Sequence, residues 1–254
     1  YLIKQPEYIH EIKNPFIEFL NNFVDSKTYN ILLPKKWEYY KTQILKKEFH
    51  LQNLRKKKSL KKFGNLKFKI YNNKNEKTSI LNELYAQKNI RLSSKGIEDI
   101  LKSKDLEFYK KFEQKSFDNI KTHLSSLILN DELIAIHWGI IYKKRFYYLL
   151  PSMKENQLNK YSPGRLLISL LIRWSISKKL EVFDFTLGDE GYKKSWSNKN
   201  SYLSNYVESK SLKGFSLFFL IKFKLFLKQI DKKNYLRKIA SIVKKYNNLQ
   251  CFQK

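Results

Sequence analysis

Asp189, Glu190 and Tyr192 crowd into one short loop, Gly188-Asp-Glu-Gly-Tyr-Lys193. A carboxylate at Asp189 or Glu190 could take a proton from an amine or hydroxyl nucleophile, and the Tyr192 phenol could return one to a leaving thiolate. The competing reading is a loop that caps the following helix, with Asp189 as N-cap. Just upstream, Phe183-Asp184-Phe185 reads as part of a buried strand in which Asp184 and Thr186 share the face opposite the two phenylalanines. A carboxylate in a sheet covered on both sides is costly unless bonded, so Asp184 marks either a functional site or a structural hydrogen-bonding one. His137 shares a strand face with Ala135 and Gly139, small neighbours that leave room for a close approach. Its type suits a base near neutral pH, or it is a satisfied core histidine.

A second kind of chemistry is written into Tyr161-Ser-Pro-Gly-Arg165. Ser162 is suited to N-cap a helix, Pro163 to its first position, and Gly164 leaves the backbone uncovered. From Leu166 the apolar residues Leu166, Leu167, Leu170, Leu171 and Trp174 fall on one helical face, and Lys178-Lys179 suit the negative end. Free amides and the positive end of the dipole favour an anion there, and Arg165 adds a fork donor for phosphate. Ser162, Gly164, Arg165 and Leu166 are therefore the candidate binding residues for a phosphorylated ligand; the plainer reading is an ordinary proline-initiated helix.

These residues need a scaffold. Leu66–Tyr71 alternates as a strand, and helices are expected near 77–91 and 94–115, the second capped by Ser93-Ser94. Strands Leu124–Leu129, Leu133–Tyr142 and Arg145–Leu150 follow, joined tightly at Asn130-Asp131 and Lys143-Lys144 as an antiparallel meander. Then come the capped helix, the strand Val182–Thr186, the acidic loop with a short helix, and a last strand near 202–208. From residue 66 the order is β-α-α-β-β-β-α-β-α-β. The helix-fed strand 182–186 should pair parallel to the strand before that helix. Upstream, a helical pattern begins at Pro34 and continues through the basic run Leu54–Phe63 until Gly64 stops it. That run reads as a solvated lysine face in preference to a phosphate contact. Residues 1–33 read as the remnant of a lobe whose partners lie upstream, 34–210 as the main domain, and 211–254 as a basic helical tail. Phe215–Leu227 is too short and too charged to span a bilayer, though it could lie on a membrane surface.

The formal charge of +28 suggests a polyanion partner, yet only six of the 51 basic residues are Arg, the better reader of phosphates and bases. Nucleic acid is thus not the expected partner. One cysteine, Cys251, excludes an internal disulfide, and four scattered His without a Cys cluster argue against a zinc site. The only Met is Met153 and residue 1 is Tyr, so the chain reads as a fragment.

With these motifs in hand the chain resembles the CelD/BcsL-type acetyltransferases associated with cellulose and polysaccharide biosynthesis, a branch of the GNAT (GCN-five-related N-acetyltransferase) superfamily. The resemblance rests on Tyr161-Ser-Pro-Gly-Arg-Leu-Leu167, Phe183–Lys193 and Leu133-Ile-Ala135, with Leu54–Gly64 and Asn14-Pro-Phe16, and covers roughly 12–208. It implies an α/β GNAT fold, a mixed central sheet with helices on both faces, and a basic helical extension. It implies acetyl-CoA or another acyl-CoA as donor, with its pyrophosphate at Ser162, Gly164 and Arg165. An amine or hydroxyl acceptor, saccharide-linked, would be acylated by direct attack. The usual GNAT phosphate loop has two small residues, whereas Lys160–Arg165 offers only Gly164. Asp189, with His137 second, is the expected base, Tyr192 the acid, and Asp184 a further catalytic candidate. The expected location is cytoplasmic, with peripheral contact at the inner face of the membrane through 211–230. Two rivals are a FemAB-like aminoacyl-tRNA-dependent transferase and a non-catalytic basic scaffold at the membrane.

Overall fold

The computed structural model describes residues 2–9, 12–18, 22–94, 96, 103–115 and 117–231. The chain forms two compact units, Lys27–Ser201 and a second made of Tyr1–Ser26 with Tyr202–Lys254. It opens with strands β1 (Leu2–Pro6), β2 (Tyr8–Ile9), β3 (Ile12–Lys13) and β4 (Asn22–Leu32). Helix α1 (Trp37–Tyr39) runs into a π turn at Tyr40–Ile44, and α2 (Lys47–Lys61) and β5 (Leu66–Tyr71) follow. Next come α3 (Lys74–Ser93), α4 (Ser103–Gln114), β6 (Ile120–Leu129), β7 (Glu132–Tyr142) and β8 (Arg145–Met153). The chain continues with α5 (Pro163–Ser177), β9 (Val182–Asp184), α6 (Gly191–Lys194), β10 (Lys199–Tyr206) and α7 (Leu212–Asp231). From residue 66 onward this is the order the sequence predicts.

In the larger unit the strands lie in the order β4-β9-β8-β7-β6-β5. All neighbours are antiparallel except β8 and β9, which α5 connects and which run parallel. In the smaller unit β1 pairs with β10, and β2 with β3. The meander turns are tight because both residues of each sit at positive φ: Asn130 and Asp131 at 47° and 65°, Lys143 and Lys144 at 44° and 57°. Gly64, at φ 141°, could not be replaced simply, since a Cβ would fall 1.9 Å from the Asn130 Oδ1. That amide ties the end of α2 to the β6–β7 turn, accepting from Asn65 N at 2.8 Å and donating to Phe63 O at 2.8 Å.

Helices cover both faces. On one, α2 and α5 close over Leu127, Ala135, Phe146, Tyr148, Phe183 and Phe185; on the other, α3 and α4 cover Tyr71, Leu124, Ile136, Trp138 and Leu150. Strand β8 serves both layers because its pairing with β7 slips by one residue, Gly139 facing Tyr148 but Trp138 facing Leu150. Leu149, the extra residue, is 39% exposed. Such a bulge switches the parity of every later side chain.

Three expectations change. Residues 30–32 find their partner downstream, Asn30, Ile31 and Leu32 pairing with Asp184, Phe183 and Val182. The helix expected to run unbroken from Pro34 stops at Leu45, where the π turn closes through Leu45 N to Tyr40 O, and restarts at Lys47. The cause is Tyr40, whose buried hydroxyl donates to Trp196 O at 2.7 Å and so fixes the turn. Ser93-Ser94 ends α3 and does not open α4: Ser94 N donates to Ile90 O at 3.0 Å, and Ser94 Oγ to Arg91 O at 3.0 Å.

The α5 layer buries two histidines, His123 and His137, with ring centres 6.4 Å apart and no hydrogen-bond partner on any ring nitrogen. Burial lowers His123 to about 3, and burial followed by the neighbouring His123 holds His137 well below its usual value. Both are neutral in the fold and take a proton near 6.5 once unfolded, so the unfolded chain binds more protons between about 6.5 and 3. Stability is therefore full above 6.5 and falls as the pH drops through that window, by roughly 1.4 kcal/mol per pH unit for each histidine. Melting temperatures measured from pH 7 to pH 4 should fall less steeply in His123→Phe than in the parent. Equal slopes would show that these rings are not neutral in the core.

Candidate functional site

Strands β8 and β9 pair only at Arg145–Val182, Phe146–Phe183 and Tyr147–Asp184, and then part. The Asp184 carboxylate sits where the ladder ends. It accepts from Arg145 Nη1 on β8 at 2.9 Å and from Thr186 N at 2.7 Å, while the Asn30 amide, turned with its nitrogen inward, donates from β4 at 2.9 Å. Thr186, at φ 57°, leads the chain out of the sheet, its hydroxyl donating across to Tyr148 O at 3.2 Å. Asp184 is thus a bonded structural carboxylate that shapes the gap, and its oxygens are already engaged.

Beside this gap lies the start of α5. Ser162 does not N-cap it: the residue is left-handed, φ 54° and ψ 61°, and its hydroxyl makes no cap bond. Its Oγ accepts from Lys56 Nζ at 2.5 Å, while its carbonyl takes the amides of Arg165 and Leu166 at 3.0 and 3.3 Å. The serine side chain is drawn to the α2 lysine, and the carbonyl does the capping. Pro163 has no N–H, so the uncommitted amide of this turn is that of Gly164. A Cβ on Gly164 would meet nothing closer than Met153 Sδ at 3.7 Å, at the end of β8. The surface over the glycine is therefore open. The Arg165 guanidinium lies 4.3 Å over the Phe49 ring, and its Nε and Nη2 are buried without a partner among the described residues. Burial lowers Arg165, and burial together with Arg165 lowers Lys56. Two partly desolvated cations, a free amide and no paired carboxylate among the described residues leave this corner short of an anion. Leu166 is buried and contributes to the core.

The acidic loop is held from within. Lys193 is buried, its ammonium donating to Leu187 O at 2.6 Å and Gly188 O at 3.5 Å and pairing with Glu190 at 2.7 Å. Asp189 is exposed and accepts from the Tyr29 hydroxyl on β4 at 2.6 Å. It is not the N-cap of α6, a position occupied by Glu190. Tyr192 is 38% exposed, its ring edge-on to Phe185 at 6.4 Å. Burial and then the Glu190 charge push its phenol up to about 12, so it is protonated at neutral pH. Tyr148 is buried beneath, raised well above the usual phenol by burial and then by Tyr192.

His137 is fully buried, stacked on Tyr148 at 4.3 Å and 7°, with no hydrogen-bond partner for its ring nitrogens among the described residues. The suitable pKa expected of it as a base is replaced by a depressed one, and no face of the ring is open. Asp189 and Tyr192 share the loop beyond β9, whereas His137 is walled off by Tyr148. Sequence reasoning missed Lys56, Tyr29, Tyr148 and the stapling role of Lys193. Lys56 was hidden within a uniform lysine run, and the others act through contacts that no local spacing encodes.

A family model described as an acetyltransferase (GNAT) domain matches residues 49–194. No curated protein matches the chain. Among solved structures, a conserved protein of unknown function from Bacteroides thetaiotaomicron is 12% identical with a TM-score of 0.50, covering 73% of this chain and 61% of that one. The C-terminal domain of a putative lysylphosphatidylglycerol synthetase from Agrobacterium fabrum is 11% identical with a TM-score of 0.49, covering 77% and 64%. The L-PGS of Bacillus licheniformis is 11% identical with a TM-score of 0.48, covering 80% and 68%. This chain spans less than two thirds of the first two, and at 12% identity the likeness to the Bacteroides protein speaks to fold alone. The family match takes in the meander, the parallel β8–β9 pair, the α5 start and the acidic loop, and the chain belongs to the acetyltransferase (GNAT) domain family.

Proposed function

We propose that this chain transfers an acyl group from acyl-CoA to an amine or hydroxyl of a saccharide-linked acceptor, as the CelD/BcsL resemblance implies. The carrying observation is the anion-deficient corner at Lys56, Gly164 and Arg165, next to the gap between β8 and β9. Lys56, Arg165 and the Gly164 amide would hold the diphosphate. The gap would take the pantetheine arm, and β8 amides around the Leu149 bulge would face the thioester oxygen.

Of the two exposed loop carboxylates Glu190 is paired with Lys193, so Asp189 is the one that takes the acceptor's proton. The new C–N or C–O bond forms as the C–S bond breaks, and Asp189 then releases its proton to water. Tyr192 refines the expected acid role. A phenol at about 12 does not hand its proton outright to a thiolate whose acid lies near 8.5, so it steadies the departing sulfur as a hydrogen-bond donor. His137 takes no part in this scheme.

Helix α7 supports membrane contact. Leu212, Phe215, Phe219, Leu220, Phe223, Phe226 and Leu227 are exposed along one side of it, and Lys213, Lys222 and Lys224 border them. Among the described residues no helix is long and apolar enough to cross a membrane. Apolar side chains with lysine rims suit an interface rich in anionic lipid.

Three outcomes are expected. Calorimetric titration should show acetyl-CoA or a longer acyl-CoA binding, weakened roughly tenfold or more by Gly164→Glu, a change the open space tolerates. No heat with any acyl-CoA, alongside salt-steep binding of aminoacyl-tRNA, would replace this reading with the FemAB-like one. Thiol release with an amino-sugar acceptor should drop roughly 10²–10⁴-fold in Asp189→Asn. The drop in Tyr192→Phe should be only about 10–100-fold. Full turnover in Asp189→Asn would remove that residue from the chemistry. Co-sedimentation with phosphatidylglycerol vesicles should fall in Phe219→Glu/Phe223→Glu; unchanged sedimentation would take α7 off the membrane.

A further inference from the structure

Between α1 with its π turn, α2 and α5 lies a cavity of about 250 Å³, walled by Trp37, Lys41, Asn53, Lys57, Leu170 and Arg173 among others. None of Lys56, Ser162 or Arg165 lines it, so it is distinct from the anion corner at the α5 start. Asn53 is 7% exposed, and neither its amide nitrogen nor its carbonyl oxygen meets a partner among the described residues. A buried carboxamide with both ends unmet is a cost to the fold unless something outside the chain completes it.

The charges of the walls point the same way. Lys41 pairs with Glu38, whereas Lys57 and Arg173 have no carboxylate partner among the described residues. Lys57 is lowered by burial and then by Lys61 and Arg173, as expected of cations gathered where the one wall carboxylate, Glu38, is engaged by Lys41. His50 is lowered by burial and by Lys41 and adds no positive charge near neutral pH. Two unopposed cations call for a dianion, the carboxamide for a hydroxyl or amide beside it, and Trp37, Leu54, Leu166 and Leu170 for a short carbon stem.

We propose that the α2–α5 cavity binds a phosphate monoester of a small polyol, its phosphate on Lys57 and Arg173 and a hydroxyl on Asn53. A soluble sugar-type phosphate and a phosphatidate headgroup share this chemistry. The site is independent of the donor reading, because the probes carry neither a thioester nor a diphosphate and the titration is made in the Gly164→Glu chain, where the α5 start is closed.

Glycerol 3-phosphate, dihexanoyl phosphatidic acid, inorganic phosphate and glycerol are titrated calorimetrically into that full-length chain. Binding of either phosphomonoester, tighter than inorganic phosphate and with glycerol inert, is the expected result, and whichever binds better names the source. Arg173→Gln and Lys57→Gln should each weaken it about tenfold, equivalent to roughly 1.4 kcal/mol. Asn53→Leu should weaken the phosphomonoester but not inorganic phosphate, and should raise the melting temperature of the free chain. No binding of either ester overturns the proposal. So does an equal loss in Lys199→Gln, which would reduce the effect to overall charge, or an unchanged affinity in Arg173→Gln.

Discussion

The structure depends on how one carboxylate is bonded. Asp184 closes a turn onto the amide two residues ahead, which bends Thr186 into the left-handed region and ends β9 after three residues. At the same time it fastens Arg145 of β8 and Asn30 of β4, so the strands on either side cannot follow it out. A sheet whose central parallel pair is stopped this way must part there, with unpaired backbone facing the gap. The cost of burying a charge is met by three donors, and the gap follows from their geometry. Without that knot, Thr186 and Leu187 would have no reason to leave β8.

The same end of β8 is shaped by the slip at Leu149. Ahead of it Phe146 and Tyr148 point toward α5; past it Leu150 points toward α3. One extra residue therefore lets a single strand fill both core layers while turning part of its backbone outward beside the gap. The loop across the gap is rigid for a different reason. Lys193 is folded beneath it, its three donors spent on Leu187 O, Gly188 O and Glu190, so Asp189 and Tyr192 are presented by a buried cation and not by a loose surface turn.

What the sequence disclosed and what it hid divide along the range of the interaction. The strand Leu66–Tyr71, the meander turns and the α5 face could be read because alternation, paired turn residues and helical spacing are set by near neighbours. The parallel placing of β9 could be read because a helix between two strands permits little else. Ser162 was misread for the complementary reason. Its residue type favours a cap, but Lys56, which lies 106 positions away, outbids the helix for its hydroxyl. Tyr40 bonding to Trp196, Tyr29 to Asp189 and Arg165 over Phe49 are likewise joins between distant segments. His137 shows the limit most plainly: its small flanking residues suggested room for a ligand, and the space is filled by the Tyr148 ring.

The charge excess gains a meaning once burial is known. A lysine on an open face is solvated and says little, and most of the positive charge here is of that kind. Where the chain buries a cation for structure it supplies the partner, as Glu113 does for Lys77 and Glu190 for Lys193. Lys56, Lys57 and Arg165, with the exposed Arg173 beside them, break that habit. All four lie on α2 or α5, three of them lowered by burial, and none forms an ion pair among the described residues, the one carboxylate of the α2–α5 cavity, Glu38, being engaged by Lys41. Lys88 on α3 is also lowered by burial and donates to the Pro151 carbonyl, but it stands alone there, whereas these four are gathered along one helix pair. That placement, more than the sum of +28, is the electrostatic feature on which the proposed anion sites rest.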